Sequence, residues 1–505
     1  MRNRGYAVYD LSMNFSPPTD EEIHTAFVQG EAAVVALFHE VATQMRALAQ
    51  QLAKQGAILQ ELQACLAKTS RNSSKPPSSD GYGKVKRTES LRKSGGKSPG
   101  GQPGHAGHTL MASEHPDHIA THAVLSCAHC QASLVGIESV GYEERQVFDI
   151  PAIRVTVTAH RAEITVCPEC GHQNKGTFPD AVTQAVQYGP AVQTWASYFT
   201  NHHHIPVERT TEIFVDLVQH RVSEATVLQA SEALCRCIAP ATDAVKAMLR
   251  NAEVLHVDES GLRVEGKLHW LHVASTESLT SYEVHAKRGQ EAMNEAGILG
   301  AFSGTVVHDH WKPYFTYGEC AHALCNAHHL RELCFIDKQY HQSWAKDMVE
   351  LLLEIKAAVA AMPAPALCLP SPDLEAFVKR YAAVVQAGFE VNSESAAARE
   401  VKKRGRPKQP PPVNLLIRLR DFQEEVLRFM YDFRVPFDNN QGERDIRMVK
   451  VKQKVSGGFR TLEGAKRFGR IRGYISTARK NAKNIFEALR DAFDGHPFIP
   501  SPAIH

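Results

Sequence analysis

The sequence predicts a multidomain α/β protein, and three features support this prediction. Short apolar runs of strand length, such as residues 254–257, lead into carboxylates in the middle of the chain. Two Cys-x2-Cys pairs precede these runs, and a long stretch with heptad spacing lies near the N-terminus. At 505 residues and 43% apolar composition, the chain is long enough for three or four domains.

The heptad stretch, residues 27–69, is predicted to form a coiled coil after a polar N-terminal tail at residues 1–26. Apolar residues recur at alternating intervals of four and three from Val34 to Leu66, and Gln55 occupies one position of the series. This pattern is typical of a left-handed coiled coil, in which Gln55 would set the register. The alternative is an amphipathic helix packed on its own domain, but the sustained heptads favour self-association.

Residues 70–110 are predicted to be a basic, disordered linker. The segment is rich in Ser, Pro, Gly and Lys, has few apolar residues, and contains many more basic than acidic residues. The formal net charge of the whole chain is only +2, so this local concentration is more informative than the total. Such a segment would also bind DNA phosphates without sequence preference.

Residues 111–180 are predicted to be a zinc-ribbon-like domain. Cys127 and Cys130 form one pair, and Cys167 and Cys170 form the other. Four thiolates close a tetrahedral zinc site, which would therefore be structural. The gap between the pairs is longer than in the usual zinc ribbon, so free cysteines or a redox pair are the alternatives. Metal-binding thiols among the eleven cysteines indicate a cytoplasmic protein rather than a disulfide-bonded one.

Residues 181–245 are predicted to be helical and to form either a helix-turn-helix or two packed helices without a recognition role. The run from His202 to His204 is expected to be a polar loop before a helix rather than a metal site. The most apolar long stretch, residues 351–369, contains charged residues and prolines, so no membrane-spanning segment is predicted.

Residues 246–318 are predicted to be the first part of a catalytic core. Asp258 follows a buried strand, three antiparallel strands and a helix follow in order, and Asp309 ends a further strand. This order matches a ribonuclease H-like fold, in which carboxylates at the ends of neighbouring strands meet. A buried structural aspartate is the alternative for each. Glu443, in a predicted basic helix, would complete a set of three carboxylates able to hold two divalent cations against a phosphodiester.

The core is predicted to be interrupted by a helical insertion at residues 319–425 and completed by residues 426–475, with a C-terminal domain at 476–505. The cysteine and histidine cluster from Cys320 to Cys334 is expected to be a packed helix start rather than a second metal site. Basic residues in the arm at 402–408 and after Glu443 suit DNA, although a solvated loop and a salt-bridged surface helix are the alternatives. The predicted DNA contacts are Arg404, Arg406, Arg444, Arg447, Lys450, Lys454 and Arg460.

Six longer motifs resemble, in order, those of the large transposase of the insertion sequence 66 family. They are NSSKPPSSD at 72–80, GGQPGH at 100–105, VDES at 257–260, CNAH at 325–328, VPFDNN at 435–440 and KVSGGFR at 454–460. The likeness extends from the coiled coil to Asp494. Ser260 stands where threonine is expected. Glu259 is expected to point away from Asp258 on an extended strand.

The resemblance implies a leucine zipper, a zinc-binding domain with one structural Zn²⁺, a DDE core and a short C-terminal domain. The implied catalytic triad is Asp258, Asp309 and Glu443, with Asp258 bridging two Mg²⁺ or Mn²⁺ ions. The implied reaction cuts the ends of the enzyme's own mobile element and joins their 3′-hydroxyls to target DNA.

The implied partners are the element ends, target DNA, further copies of the chain through the coiled coil, and accessory proteins of the element. The implied location is the bacterial cytoplasm, at the nucleoid when the protein is bound to DNA. Two alternative functions remain at this point. One is a catalytically idle, zinc-containing DNA-binding regulator, and the other is a ribonuclease H-like nuclease that cuts without joining.

Overall fold

The computed structural model describes residues 17–67, 110–393 and 409–501. Two compact units divide the chain. The larger unit comprises Met1–Val85, Tyr188–Val207 and Ala225–His505, and the smaller one comprises Lys86–Gln187 and Glu208–Glu224. The predicted linker at 70–110 and the predicted arm at 402–408 fall almost entirely outside the described residues.

Two helices begin the described chain, α1 at Asp20–Gln29 and α2 at Glu31–Ala67. The prediction of a tail up to residue 26 was therefore wrong for α1. The reason is a capping box: Glu22 N–H donates to Thr19 Oγ1 (3.3 Å), and Thr19 N–H donates to Glu22 Oε2 (2.8 Å). In α2, several apolar residues of the heptad series are more than half exposed, namely Phe38, Met45, Leu52, Leu59, Leu62 and Leu66.

A small antiparallel pair of strands, β1 at Ile164–Val166 and β2 at Gln173–Lys175, lies in the smaller unit. Four helices then follow: α3 at Pro190–Ser197, α4 at Val207–Val218, α5 at Glu224–Cys237 and α6 at Ala239–Arg250. Helix α4 lies mainly in the smaller unit. Residues 190–245 are mostly helical, residues 181–189 are not, and a helix-turn-helix role stays a prediction.

The histidine run lies only partly in the loop before a helix that the sequence predicted: His203 and His204 precede α4 in non-helical backbone, but His202 is helical. His202 ends a π-helical turn, Tyr198–His202, that continues α3. Its ring stacks on Tyr198, and its Nε2 accepts a hydrogen bond from Arg479 Nη2 (3.1 Å). His204 is only 2% exposed. Burial lowers the pKa of His202 to about 3 and that of His204 to about 4, so both rings are neutral.

A five-stranded sheet forms the centre of the larger unit. Its strands are β3 at Val254–Val264, β4 at Lys267–Ser275, β5 at Thr280–His285, β6 at Thr305–His308 and β7 at Ala321–Leu324. Their spatial order is β5-β4-β3-β6-β7. The first three strands are antiparallel, and β6 and β7 run parallel to β3. Helix α7, Gln290–Ala296, connects β5 to β6 through a short 3-10 turn.

Two details of this sheet differ from the prediction. Strand β3 is continuous over 11 residues, so Asp258 lies inside a strand and not at its end. Strand β7 lies in the segment predicted as a helical insertion. It pairs in parallel with β6, from Thr305 opposite Ala321 to His308 opposite Leu324. A strand of four residues that include a histidine is too short to show an alternating pattern in the sequence. The packed helix start expected for this cluster begins only at Asn326.

In the described residues between β7 and Asp432, five helices follow: α8 at Asn326–Tyr340, α9 at Ser343–Ala361, α10 at Ser371–Val391, α11 at Pro411–Asp421 and α12 at Gln423–Tyr431. They share one hydrophobic core with Val307 of β6 and Leu324 of β7. None of the helices within the described ranges is long and apolar enough to cross a membrane.

The chain ends with α13 at Asn440–Ser456, α14 at Leu462–Lys480 and α15 at Ile485–Phe493. Helix α14 runs through the boundary predicted between residues 475 and 476. Its first half packs Ala465 and Phe468 against β3–β5, and its second half joins the core around α15. Residues 476–501 are therefore continuous with the sheet-containing segment that was predicted as the core.

The two faces of β3 contact different helices. Leu262 and Val264 pack with Ile446 of α13, whereas Leu255 and Val257 pack on the opposite face with α6 and α7. Each such buried side chain contributes about 1.5–3 kcal/mol to folding. Because successive side chains of a strand alternate, Asp258 lies on the face that α13 covers.

Candidate active site

Asp258 and Asp309 occupy matching positions on neighbouring parallel strands. His256 of β3 pairs with Val307 of β6, and each aspartate follows two residues later. Burial, and next the negative charges of Glu259 and Asp309, raise the pKa of Asp258 well above its usual range. The two predicted aspartates therefore lie close enough for their charges to interact.

The pKa of Asp309 rises to about 7, mainly through burial and next through the charge of Glu259. Backbone N–H groups orient both side chains: Trp311 N–H donates to Asp309 Oδ1 (2.8 Å), and Glu259 N–H donates to Asp258 Oδ1 (2.8 Å). Within the described ranges, neither aspartate carboxylate forms an ion pair with a Lys, Arg or His nitrogen within 4.0 Å. A desolvated carboxylate without a directly paired cation is costly, so both side chains favour a bound cation.

Glu443 lies in the first turn of α13, and Asn439 fixes the start of that helix against β3. Asn439 is at the N-cap position but does not cap the helix. Its Oδ1 lies 2.8 Å from His256 Nδ1, and its Nδ2 donates to Val257 O (2.8 Å). Its N–H also donates to Cys325 Sγ (3.1 Å). Before the structure, Asn439 stood out only as part of the VPFDNN motif, because bonds to residues about 180 positions away leave no local pattern.

The carboxylate of Glu443 faces α8 as well as the aspartates. Arg331 Nη2 donates to Glu443 Oε1 (3.0 Å), and His328 Nδ1 lies 3.8 Å from the same oxygen. The charge of Glu443 also contributes to raising the pKa of Asp258. In the described part of the chain, however, the ligand oxygens of the three carboxylates do not all lie within 4.8 Å of one another.

Glu259 points to the opposite face of β3 from Asp258, in accord with strand alternation. It is 6% exposed, pairs with Arg288, and accepts a hydrogen bond from the Tyr314 hydroxyl. Its negative charge nevertheless raises the pKa of both aspartates. Strand alternation alone predicted that Glu259 points away from Asp258, but no local pattern indicated this electrostatic contribution.

Arg288, the partner of Glu259, lies between two indole rings. Its guanidinium carbon is 4.9 Å from the Trp270 ring centroid and 4.2 Å from that of Trp311. Such contacts hold a guanidinium in a fixed plane. The backbone N–H of Trp311 donates to Asp309 Oδ1. The residue whose ring contacts Arg288 therefore also orients one of the two aspartates.

The predicted DNA contacts differ in exposure. Arg444, Arg447, Lys454 and Arg460 are exposed, whereas Lys450 is half-buried and donates to Gly261 O of β3 (2.8 Å). Burial lowers the pKa of Lys450. Arg404 and Arg406 lie outside the described residues. The exposed cations among these residues therefore lie on the outer side of α13 and just beyond its end.

Both predicted zinc pairs form the same tight turn in the smaller unit. Gln131 N–H donates to Cys127 O and Gly171 N–H to Cys167 O, both at 2.9 Å. Bonds from N–H groups of each turn lower the pKa of Cys127 and of Cys167, which favours the thiolate that binds zinc. The donor set fits zinc, although these thiols, all in the described region, do not form a group within 4.8 Å.

Comparison with known families agrees with the motifs. Residues 185–467, more than half of the chain, match the transposase IS66 family. Residues 125–171 match the zinc-finger binding domain of transposase IS66, and residues 17–111 match a family of unknown function. No curated protein matched the chain.

These matches define the class as a transposase, an enzyme that acts on DNA. The chain belongs to the IS66 transposase family and carries that family's zinc-binding domain. The resemblance predicted from the motifs is confirmed.

Proposed function

We propose that this transposase cleaves the ends of its insertion sequence and transfers the 3′-hydroxyl strands to target DNA by DDE chemistry. Asp258, Asp309 and Glu443 are the proposed catalytic triad. The observation that carries this proposal is their arrangement: two aspartates in register on β3 and β6, and a glutamate on a helix that Asn439 anchors to β3.

The sheet order supports a ribonuclease H-like core. Three antiparallel strands, β3 to β5, are extended on the β3 side by the parallel strands β6 and β7. The sequence predicted this order for the first four strands, and the structure adds the fifth. Helix α13 covers the face of the sheet that bears Asp258. Glu443, which lies in α13, can therefore be the third acidic ligand.

The site suits hard divalent cations, because its donors are carboxylate oxygens and, among the described residues, its partly buried aspartates form no ion pair. When bound, two Mg²⁺ or Mn²⁺ ions would stabilise the attacking and leaving oxygens of an in-line displacement at phosphorus. Asp258, Asp309 and Glu443 would hold the ions. Trp311 N–H and Glu259 N–H hold the aspartate oxygens in place. Water and then a liberated 3′-hydroxyl are the nucleophiles, so no covalent enzyme intermediate forms.

Other parts of the chain have supporting roles in this proposal. Cys127, Cys130, Cys167 and Cys170 would bind one structural Zn²⁺ after the two turns come together. The exposed apolar series on α2 would pair with a second copy of the chain as a coiled coil. The exposed basic residues of α13 and the segment after it, Arg444, Arg447, Lys454 and Arg460, would bind DNA phosphates together with the arm that contains Arg404 and Arg406.

The test is a Mg²⁺-dependent cleavage assay on element-end DNA, combined with strand transfer from pre-cut ends. Asp258→Ala, Asp309→Ala and Glu443→Ala should each abolish both reactions and leave DNA binding largely intact. Asp347→Ala, on the exposed side of α9, is the control and should retain activity.

Three results would contradict the proposal in different ways. Strand cleavage by the Asp309→Ala protein would refute the triad. Cleavage without joining of pre-cut ends would identify a nuclease. DNA binding by the wild-type protein without any Mg²⁺-dependent cleavage would identify a regulator with an idle core.

A further inference from the structure

A second set of metal-ligating atoms lies beside Glu443. Cys325 precedes the first residue of α8, and His328 follows in its first turn. A ligand atom from each of Cys325, His328 and Glu443 lies within 4.8 Å of the other two. Across the described ranges, no other group of three or more His, Cys, Asp or Glu residues meets this criterion.

The three side chains are held by rigid elements. Cys325 and His328 are three residues apart at the start of one helix, so they lie on the same face. Asn439 N–H donates to Cys325 Sγ, and Asn326 N–H donates to Phe437 O (3.1 Å), which joins the starts of α8 and α13. Glu443 therefore faces Cys325 and His328 without any rearrangement of the backbone.

The imidazole of His328 lacks a partner that a cation would supply. Within the described part of the chain, its buried Nδ1 makes no hydrogen bond. A buried polar atom without a partner costs about 1–3 kcal/mol. Nδ1 lies 3.8 Å from Glu443 Oε1, and two metal-ligand bonds of about 2.0–2.2 Å each span such a gap.

The chemistry of the donors differs from that of the proposed Mg²⁺ site. A thiolate, an imidazole and one carboxylate favour borderline-soft ions such as Zn²⁺, whereas Mg²⁺ favours oxygen ligands alone. Three protein ligands also leave a fourth tetrahedral position open, unlike the four-cysteine site of the zinc-finger domain.

We propose that Cys325, His328 and Glu443 bind a borderline-soft divalent cation of the Zn²⁺ class, and that its binding withdraws Glu443 from the catalytic triad and inhibits strand cleavage. The inhibitory part rests on the proposed function, because it requires Glu443 to be a catalytic ligand. The binding part rests only on the geometry of α8 and α13.

Two features make this site weaker than a structural zinc site, as reversible control requires. Arg331 Nη2 lies 3.0 Å from Glu443 Oε1 and competes with a cation for that oxygen. The Arg331 side chain is one-third exposed, so it can turn into solvent. The Cys325 side chain is only 1% exposed, and its thiol must lose a proton before the sulfur can bind a cation.

To test binding, Co²⁺ is titrated into the full chain after one equivalent of zinc has filled the four-cysteine site. We expect one equivalent of Co²⁺ to bind with a thiolate-to-cobalt charge-transfer band, which Co²⁺ held by carboxylates alone does not give. Cys325→Ser should lose the band, and His328→Ala should weaken binding at least roughly tenfold. Cys334→Ser, a half-buried cysteine elsewhere on α8, is the matched control and should keep both.

Arg331→Ala should change Co²⁺ affinity in the opposite direction to His328→Ala. A variant that binds more tightly cannot be explained by loss of folding. Removal of its positive charge should tighten Co²⁺ binding, while His328→Ala should weaken it, and thermal melting should show both variants folded. The site is refuted if no second equivalent binds, if the charge-transfer band survives in Cys325→Ser, or if Arg331→Ala weakens binding.

The inhibition test measures Mg²⁺-dependent cleavage with increasing free Zn²⁺, expressed for each protein relative to its own zinc-free activity. His328→Ala should require at least roughly tenfold more zinc for half-inhibition than the wild type or Cys334→Ser. Cobalt binding without a shift in zinc inhibition would refute the regulatory role and leave the DDE proposal intact. Absence of Mg²⁺-dependent cleavage from every protein would instead refute the DDE proposal, while the cobalt titration still decides whether the site exists.

Discussion

Replacement of Asp309 by asparagine should stabilise the metal-free protein while destroying its response to Mg²⁺. The asparagine would keep the size of the side chain and a carbonyl oxygen able to accept the Trp311 N–H bond, but it would remove the buried negative charge. Any effect therefore reports the charge rather than a lost contact.

The magnitude follows from the pKa of Asp309, which rises from the ordinary value of 3.8 to about 7. Each tenfold change in proton affinity corresponds to about 1.4 kcal/mol, so ionised Asp309 costs at most about 4 kcal/mol above pH 7. Because the folded state binds the proton more tightly than the unfolded chain, this cost is absent below pH 4 and grows as pH rises to 7. The gain from Asp309→Asn should follow the same pH range.

The assay is chemical denaturation of the wild type and Asp309→Asn at pH 5 and pH 8, each with EDTA and with Mg²⁺. With EDTA, the variant should be more stable than the wild type, and more so at pH 8. Mg²⁺ should raise the stability of the wild type by mass action and leave the variant nearly unchanged. The reasoning fails if the variant is less stable than the wild type at pH 8 in EDTA, or if Mg²⁺ stabilises both proteins equally.

Four further outcomes are expected. At fixed Mg²⁺, the cleavage rate should fall as pH decreases below about 7, because Asp309 must lose its proton to bind the cation; a pH-rate profile that stays flat down to pH 5 would contradict this. Asn439→Ala should lower the free energy of unfolding by about 2–4 kcal/mol, measured by urea denaturation, because two buried partners on β3 lose their bonds. Lysine at both Leu52 and Leu59 should convert an oligomer to a monomer in light scattering without lowering the melting temperature of the core, because both leucines are exposed on α2. Cys167→Ser should reduce tightly bound zinc by one ion per chain in elemental analysis, and unchanged zinc content would remove Cys167 from the ligand set.

The parts of the molecule that the sequence predicted well are those with a local pattern. The strand before Asp258, the strand before Asp309 and the third strand at β5 were all evident from apolar runs between turns. The helix bearing Glu443 was evident from its amphipathic basic sequence. Such patterns survive without tertiary information because a strand or helix imposes its own period on the residues that face a core.

The sequence-based predictions were wrong where an element was too short to show its period, or where tertiary packing changed the environment of a residue. Strand β7 has only four residues, so its pairing with β6 left no recognisable alternation. Lys450 shares a helix with exposed Arg447 but bonds to Gly261 O, because α13 packs closely on β3. The capping box that begins α1 was present in the sequence and was missed.

By itself, the sequence determined the composition of the proposed site: two aspartates after buried strands, a glutamate in a basic helix, two zinc-binding cysteine pairs, and motifs sufficient to indicate the family. Only the tertiary structure decided what surrounds these groups. Asn439 anchors α13 to β3, Glu259 raises the pKa of both aspartates from the opposite face, and Arg331 competes for Glu443. These contacts join residues far apart in the chain, and their energies depend on distance and burial, which no sequence spacing encodes.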